Sequence, residues 1–137
     1  MKQKVCHIIS NVNRSYFFEA IGESLDKEKY EVSFVLLSPE KPHLFDFFRT
    51  RGYKVEFIEF RGKKDILSGI LKIRKFLKSV KADIVHTHLV EGTYMGMIAA
   101  FSLGVKKRLH TRHHAADVIF IIHTLFTTIN STVLCRK

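Results

Sequence analysis

Two short segments hold most of the side chains in this sequence that could do chemistry. Ala82-Asp83-Ile84-Val85-His86-Thr87-His88-Leu89 starts apolar and ends in imidazoles, and Arg108-Leu109-His110-Thr111-Arg112-His113-His114 has the same character. Imidazole near neutral pH can move a proton or ligate a metal. Side chains alternate along a strand, so Ile84, His86 and His88 share one side. An apolar start with a polar finish suits a parallel strand, covered by helices in its middle and open to a crevice at its carboxyl end. If the two strands are neighbours, His86, His88, His110, His113 and His114 converge on one rim. The bland alternative is structural: imidazoles hydrogen-bonded to a neighbouring loop, with His86 the more buried. Zinc held by these histidines, with Glu91 or Asp117 as a further ligand, is the weaker reading. None of these histidines sits on a predicted helix, where HxxxH spacing would bring a pair together, and no cysteine joins them, so no metal is expected.

The elements that must position these segments can be taken in order. Lys4 to Ser10 reads as a buried strand and Asn11-Val12-Asn13-Arg14 as a polar turn. Ser15 is placed to cap a helix running to about Asp26, with Phe17, Ile21 and Leu25 on its apolar face. Tyr30 to Leu37 is a second strand. After Pro39 and Pro42 a short helix runs from His43 to about Thr50, ended by Gly52. Tyr53 to Phe60 is a third, less apolar strand, which belongs at an edge. Asp65 to Lys81 is the clearest helix: Ile66, Ile70, Ile73, Leu77 and Val80 form one stripe, widened by Leu67 and Leu71. Glu91-Gly92-Thr93 reads as a turn into a helix from about Tyr94 to Leu103, stopped by Gly104. Gly96, Ala99 and Ala100 allow that helix close contact with a sheet. The segment 118–137 is apolar and β-branched as far as Ile129, too short and interrupted to span a bilayer, and its periodicity does not choose between helix and strand.

Strands alternating with helices imply an α/β fold: a single Rossmann-like, doubly wound parallel sheet in the order 3-2-1-4-5, with helices on both faces. Ligands bind such sheets outside the carboxyl ends of the strands, where the order reverses. Here that is between strands one and four, which gathers 10–14, 86–93 and 110–114 around one crevice.

At 137 residues, with 46% hydrophobic and 26% charged residues, the chain has the balance of one globular domain. Its net charge of +10 implies an anionic partner. Nucleic acid is the least favoured, because no recognition motif or aromatic platform accompanies the charge. Cys6 and Cys135 read as free thiols of a reducing compartment, and no signal peptide is recognisable, so a cytoplasmic setting is expected.

Lys4-Val-Cys-His-Ile-Ile-Ser10, Ala82-Asp-Ile-Val-His-Thr-His-Leu89, Gly92 through Gly104 and Arg108-Leu-His-Thr-Arg-His-His114 together resemble the N-terminal domain of family 4-like glycosyltransferases of the GT-B architecture. The likeness extends over nearly all of residues 1 to about 117. It implies two facing Rossmann-like domains, retaining transfer from a nucleotide-sugar donor to a glycan or lipid-linked acceptor, and no cofactor or obligatory metal. It also implies that this domain shapes the acceptor side. His113 matches the family's cleft-facing histidine and is the catalytic candidate. Asn11, Asn13, Arg14, His88, Glu91, Thr93, Arg112 and His114 are the candidate acceptor and donor cleft residues. The departing diphosphate needs cations, and Arg14, Arg112 or His113 could contribute. The sequence departs from the family in its first turn, which lacks the frequent paired glycines. The donor-binding C-terminal domain is absent, so the chain alone is expected not to transfer sugar, and a companion domain or subunit is an expected partner.

The segment 63–81 carries Lys63, Lys64, Lys72, Arg74, Lys75, Lys78 and Lys81 against Asp65 alone. Such a face is often merely solvated, but it also suits an anionic membrane surface, which would make the protein peripheral at the inner face of the cell membrane. Two readings compete with the transferase half: a non-catalytic docking or partner-binding subunit, and an unrelated α/β domain binding a nucleotide or effector.

Overall fold

The computed structural model describes residues 1–111. Five parallel strands, β1 (Gln3–Ser10), β2 (Tyr30–Ser38), β3 (Lys54–Glu59), β4 (Ile84–His88) and β5 (Lys107–Thr111), lie in the order β3-β2-β1-β4-β5. They are joined through α1 (Tyr16–Ser24), α2 (His43–Thr50), α3 (Ile66–Val80) and α4 (Val90–Ser102), with a 3-10 turn, Lys63–Asp65, before α3. The sheet is the expected doubly wound one, and its order reverses between β1 and β4.

β1 and β2 read as continuous apolar runs because both of their faces are covered. On one face, Ile9, Phe34 and Leu36 pack with Phe18 of α1 and with Leu44 and Phe48 of α2. The Phe34 and Phe48 rings stack at 3.6 Å between centroids. On the other face, Cys6, Ile8, Val35, Leu37 and Val85 pack against Ile73 and Leu77 of α3 and against Met95, Ala99 and Ala100 of α4. The Cys6 thiol is fully buried, and burial pushes its pKa up to about 12, which makes it inert packing. β3 is at an edge, as its weaker apolar pattern implies, with Ile58 its one buried residue.

Three helices differ in detail from what periodicity implies. α1 ends at Ser24, and it buries Phe18 and Gly22 while Phe17 stays half exposed. The reason is Gly22: a Cβ there would stand 3.1 Å from the Phe48 ring, so the glycine face is the one that meets α2. In α3 the buried line is Gly69, Ile73, Leu77 and Val80. Leu67 and Leu71 do not widen it but face solvent, at 70% and 57% exposure. Here too a glycine sets the rotation, because the Met95 side chain of α4 fills the space beside Gly69. α4 begins at Val90 rather than near Tyr94, so Glu91, Gly92 and Thr93 form its first turn. Gly104, at φ +70°, stops it as expected.

Candidate functional site

The two strands flanking the reversal both end in unusual backbone. Asn11, after β1, has φ 54°, a left-handed conformation that asparagine tolerates. Leu89, between β4 and α4, has φ 64° and ψ 177°, a region otherwise left almost wholly to glycine. Holding leucine there costs about 1–3 kcal/mol. Leu89→Gly is therefore expected to be more stable than Leu89→Ala by about 1 kcal/mol in denaturant unfolding, the reverse of the usual order. Alanine as the more stable variant would show that this turn carries no strain.

The strained turn delivers α4 directly against β1. A Cβ on Gly92 would lie 3.2 Å from the Ile8 carbonyl oxygen. The Gly92 amide donates to Ser10 Oγ at 3.0 Å, and Ser10 Oγ donates to Glu91 Oε2 at 3.3 Å. Thr93 packs its hydroxyl against the Leu89 carbonyl and meets His110 Nδ1 at 3.0 Å. Ser10, Glu91, Thr93 and His110 thus line the carboxyl ends of β1, β4 and β5. The first turn of α4 adds amides with no partner in the helix. Carboxylate, hydroxyl and imidazole side by side can take both the donor and the acceptor side of a polyol's hydroxyls.

The histidines do not all converge. Thr87 pairs with His110 and His88 with Thr111 across β4 and β5, so alternation turns His110 to the α3–α4 face and His86 and His88 to the α1–α2 face. His88 is fully buried beneath Phe18, ring edge to face at 5.0 Å, and so lies below the crevice floor instead of at its lip. His86, expected to be the more buried, is half buried, with Nε2 2.6 Å from Thr111 Oγ1. His88 Nε2 faces His7 Nδ1 at 3.0 Å. His7 is 4% exposed, and burial, helped by His86, pushes its pKa down to about 3.

Of the other candidates, Asn13 ties the first turn to α2: its Oδ1 accepts the His43 amide at 2.9 Å and its carbonyl the Leu44 amide at 3.0 Å. Arg14 is exposed, its guanidinium 5.9 Å from the Tyr16 ring and 3.8 Å from Glu19 Oε1. Arg112, His113 and His114, like segment 118–137 and Cys135, lie outside the described residues. Sequence reasoning placed Ser10 in this region without a role and passed over Glu19 and His7. Ser10 is the hydroxyl that joins β1 to α4. Glu19 has a buried carboxylate oxygen without a hydrogen-bond partner beside the first turn. His7 became visible only with the β1–β4 register, in which it pairs with His86.

Two shallow hollows lie elsewhere. One runs between Phe45, Arg49, Tyr53 and Phe76, and the other lies at the amino-terminal edge between Met1, Lys2, Lys29 and Tyr30. Neither gathers the donor and acceptor groups found at the strand reversal.

The family model for Glycosyltransferase Family 4 matches residues 16–132. MurG of Acinetobacter baumannii is similar to 94% of this chain at 15% identity, with a TM-score of 0.69. A structure described as a UDP-N-acetylglucosamine 2-epimerase of Listeria monocytogenes is similar to 81% at 18% identity, TM-score 0.64. Another from Neisseria meningitidis, bound to UDP-GlcNAc, is similar to 79% at 15% identity, TM-score 0.62. At these identities the likeness is one of fold. The chain spans 40% of the MurG chain and 31% of each epimerase chain. No curated protein sequence matches it.

Proposed function

Because the chain belongs to Glycosyltransferase Family 4, we propose that it supplies the acceptor-side lobe of a retaining glycosyltransferase. The donor is a nucleotide sugar, the acceptor a glycan or lipid-linked saccharide, and the transfer runs without a metal. The observation that carries this reading is the hydrogen bonding that stitches β1 to α4 at the strand reversal. There Ser10 holds the first turn of α4 against β1, with Glu91 and Thr93 on that turn and Asn11 directly after β1. Those groups suit an acceptor's hydroxyls. Arg14, beside the same opening, suits the charge of a departing diphosphate. Arg112, His113 and His114 continue this site in the proposal, with His113 in the catalytic position on the strength of the family resemblance.

A donor-binding second lobe, in the same polypeptide or a companion subunit, completes the site. Incubating the full 137-residue chain with a panel of nucleotide sugars and lipid-linked saccharides tests this, with and without a donor-binding lobe. Transfer is expected only with both lobes, and it should fall at least a hundredfold in His113→Ala. Transfer by the chain alone would refute the half-site reading, and full activity of His113→Ala would remove that residue from the mechanism.

The outward face of α3 favours a peripheral location, on the cytoplasmic side of the cell membrane. Leu67 and Leu71 project to solvent among Arg74, Lys75 and Lys78, all exposed, and no helix among the described residues is long and apolar enough to cross a membrane. Two leucines with an arginine and two lysines on one side are the composition of an interfacial helix on anionic lipid. Each basic residue near such a surface contributes about 1 kcal/mol. Lys75→Glu with Lys78→Glu is therefore expected to weaken binding to phosphatidylglycerol vesicles at least tenfold. Equal binding to neutral vesicles by the unsubstituted chain would contradict this placement.

A further inference from the structure

Beneath the crevice, and outside the groups assigned to sugar transfer, three imidazoles from two adjacent strands face one another. His7 of β1 and His86 and His88 of β4 lie on the same face of the sheet, and one ring nitrogen from each comes within 4.8 Å of the others. We propose that His7, His86 and His88 form a binding site for a transition-metal cation of the zinc type, which pins β1 to β4 directly below the strand reversal.

Two features of the cluster carry this. First, the spacing fits. Two nitrogens bound to one tetrahedral zinc at about 2.0–2.1 Å stand about 3.3 Å apart, and His7 Nδ1 and His88 Nε2 are 3.0 Å apart. A cation in place of their shared proton needs the pair to open by a few tenths of an ångström, and the third nitrogen to move in from within its 4.8 Å. Second, one of the ligand rings is already held. The Thr111 hydroxyl holds one ring nitrogen of His86, the kind of outer hydrogen bond that orients a metal-binding ring.

The set is all nitrogen, so it selects the imidazole-binding metals over magnesium or calcium. His86, half buried, is the side from which solvent and an ion arrive. The ion's fourth position falls to water or an anion. Its role is structural, separate from the bond-making atoms of the transfer.

The test uses the full chain freed of metal with a chelator and then titrated with zinc, or with cobalt as a coloured substitute. Zinc at a hundredfold excess over its dissociation constant is expected to raise Tm by about 5–10 °C. Cobalt is expected to give the visible absorption of a four-coordinate site. His86→Gln, at a position that is not fully buried, keeps the fold and is expected to abolish both responses; His110→Gln, on the opposite face, is expected to change neither. No Tm shift and no cobalt spectrum in the unsubstituted chain would overturn the site. Equal responses in His86→Gln would overturn it too, because the metal would then be bound elsewhere.

Discussion

In metal-free buffer the domain is expected to be about 2–3 kcal/mol less stable at pH 4.5 than at pH 7, through His7 alone. The sign follows from which state binds the proton. In the unfolded chain His7 titrates near its ordinary 6.5, but in the fold it stays neutral down to about 3. Between those values the unfolded state takes up a proton that the native state refuses, so acid favours unfolding. His7's contribution is intact above pH 6.5, erodes as pH falls through the window, and levels off below about 3, by which point the loss is about 5 kcal/mol. That is a large share of the 5–15 kcal/mol typical of a domain. Denaturant midpoints measured from pH 7 to pH 4 supply the check. His7→Leu is expected to flatten the curve across this window whatever it does to stability at pH 7. An unchanged slope in His7→Leu would mean that His7 is not the group responsible.

Gly96→Leu is expected to cost at least about 3 kcal/mol and to disturb the crevice, although Gly96 is not one of its lining residues. A Cβ at Gly96 would lie 2.7 Å from Ile8 Cδ1 and 2.8 Å from Thr87 Cγ2. Ile8 and Thr87 are paired across β1 and β4, and both are fully buried. Thr87 is further held by its hydroxyl on the Leu109 carbonyl at 3.2 Å, and β-branched side chains have little rotamer freedom to yield. Anything larger than hydrogen therefore pushes α4 off the seam between the two strands, and with it Glu91 and Gly92. Gly69 is the control. A Cβ there would overlap Met95 Cε, but that atom is the free end of a flexible side chain. Gly69→Ala is expected to be neutral or, through helix propensity, stabilising by up to about 1 kcal/mol. Thermal unfolding of the two variants side by side measures the contrast. Similar losses in both would mean that α4 does not sit as tightly on β1 and β4 as the structure has it.

The fold could be read from the sequence because its signals are local: apolar runs of strand length alternate with amphipathic helices, and right-handed crossovers then leave few topologies open. The order β3-β2-β1-β4-β5, and with it the region of the crevice, follows from that reasoning. Register was not legible. Alternation fixed that His86 and His88 share a face, but only the β4–β5 pairing shows that His110 points to the other. For the same reason His7, an unremarked residue inside an apolar run, turns out to be the partner of His88. Helix rotation was legible only to within a residue or two. A stripe of leucines and isoleucines does not say which neighbour a glycine admits. Phe48 against Gly22 and Met95 against Gly69 decided that Phe17, Leu67 and Leu71 face outward. The start of α4 was read four residues late, because a leucine at positive φ is not a turn signal that residue type gives away.

In the proposed function, ligands meet this domain where the strand order reverses, between β1 and β4. Mapping backbone amide shifts of the full chain, titrated with UDP-GlcNAc and separately with a short-chain lipid-linked saccharide, tests it most directly. The saccharide is expected to perturb residues 10–16, 88–94 and 110–111 and to leave the opposite end of the sheet unchanged. Perturbations centred instead on Lys2, Gln3, Lys29 and Tyr30, at the amino-terminal ends of β1 and β2, would contradict it.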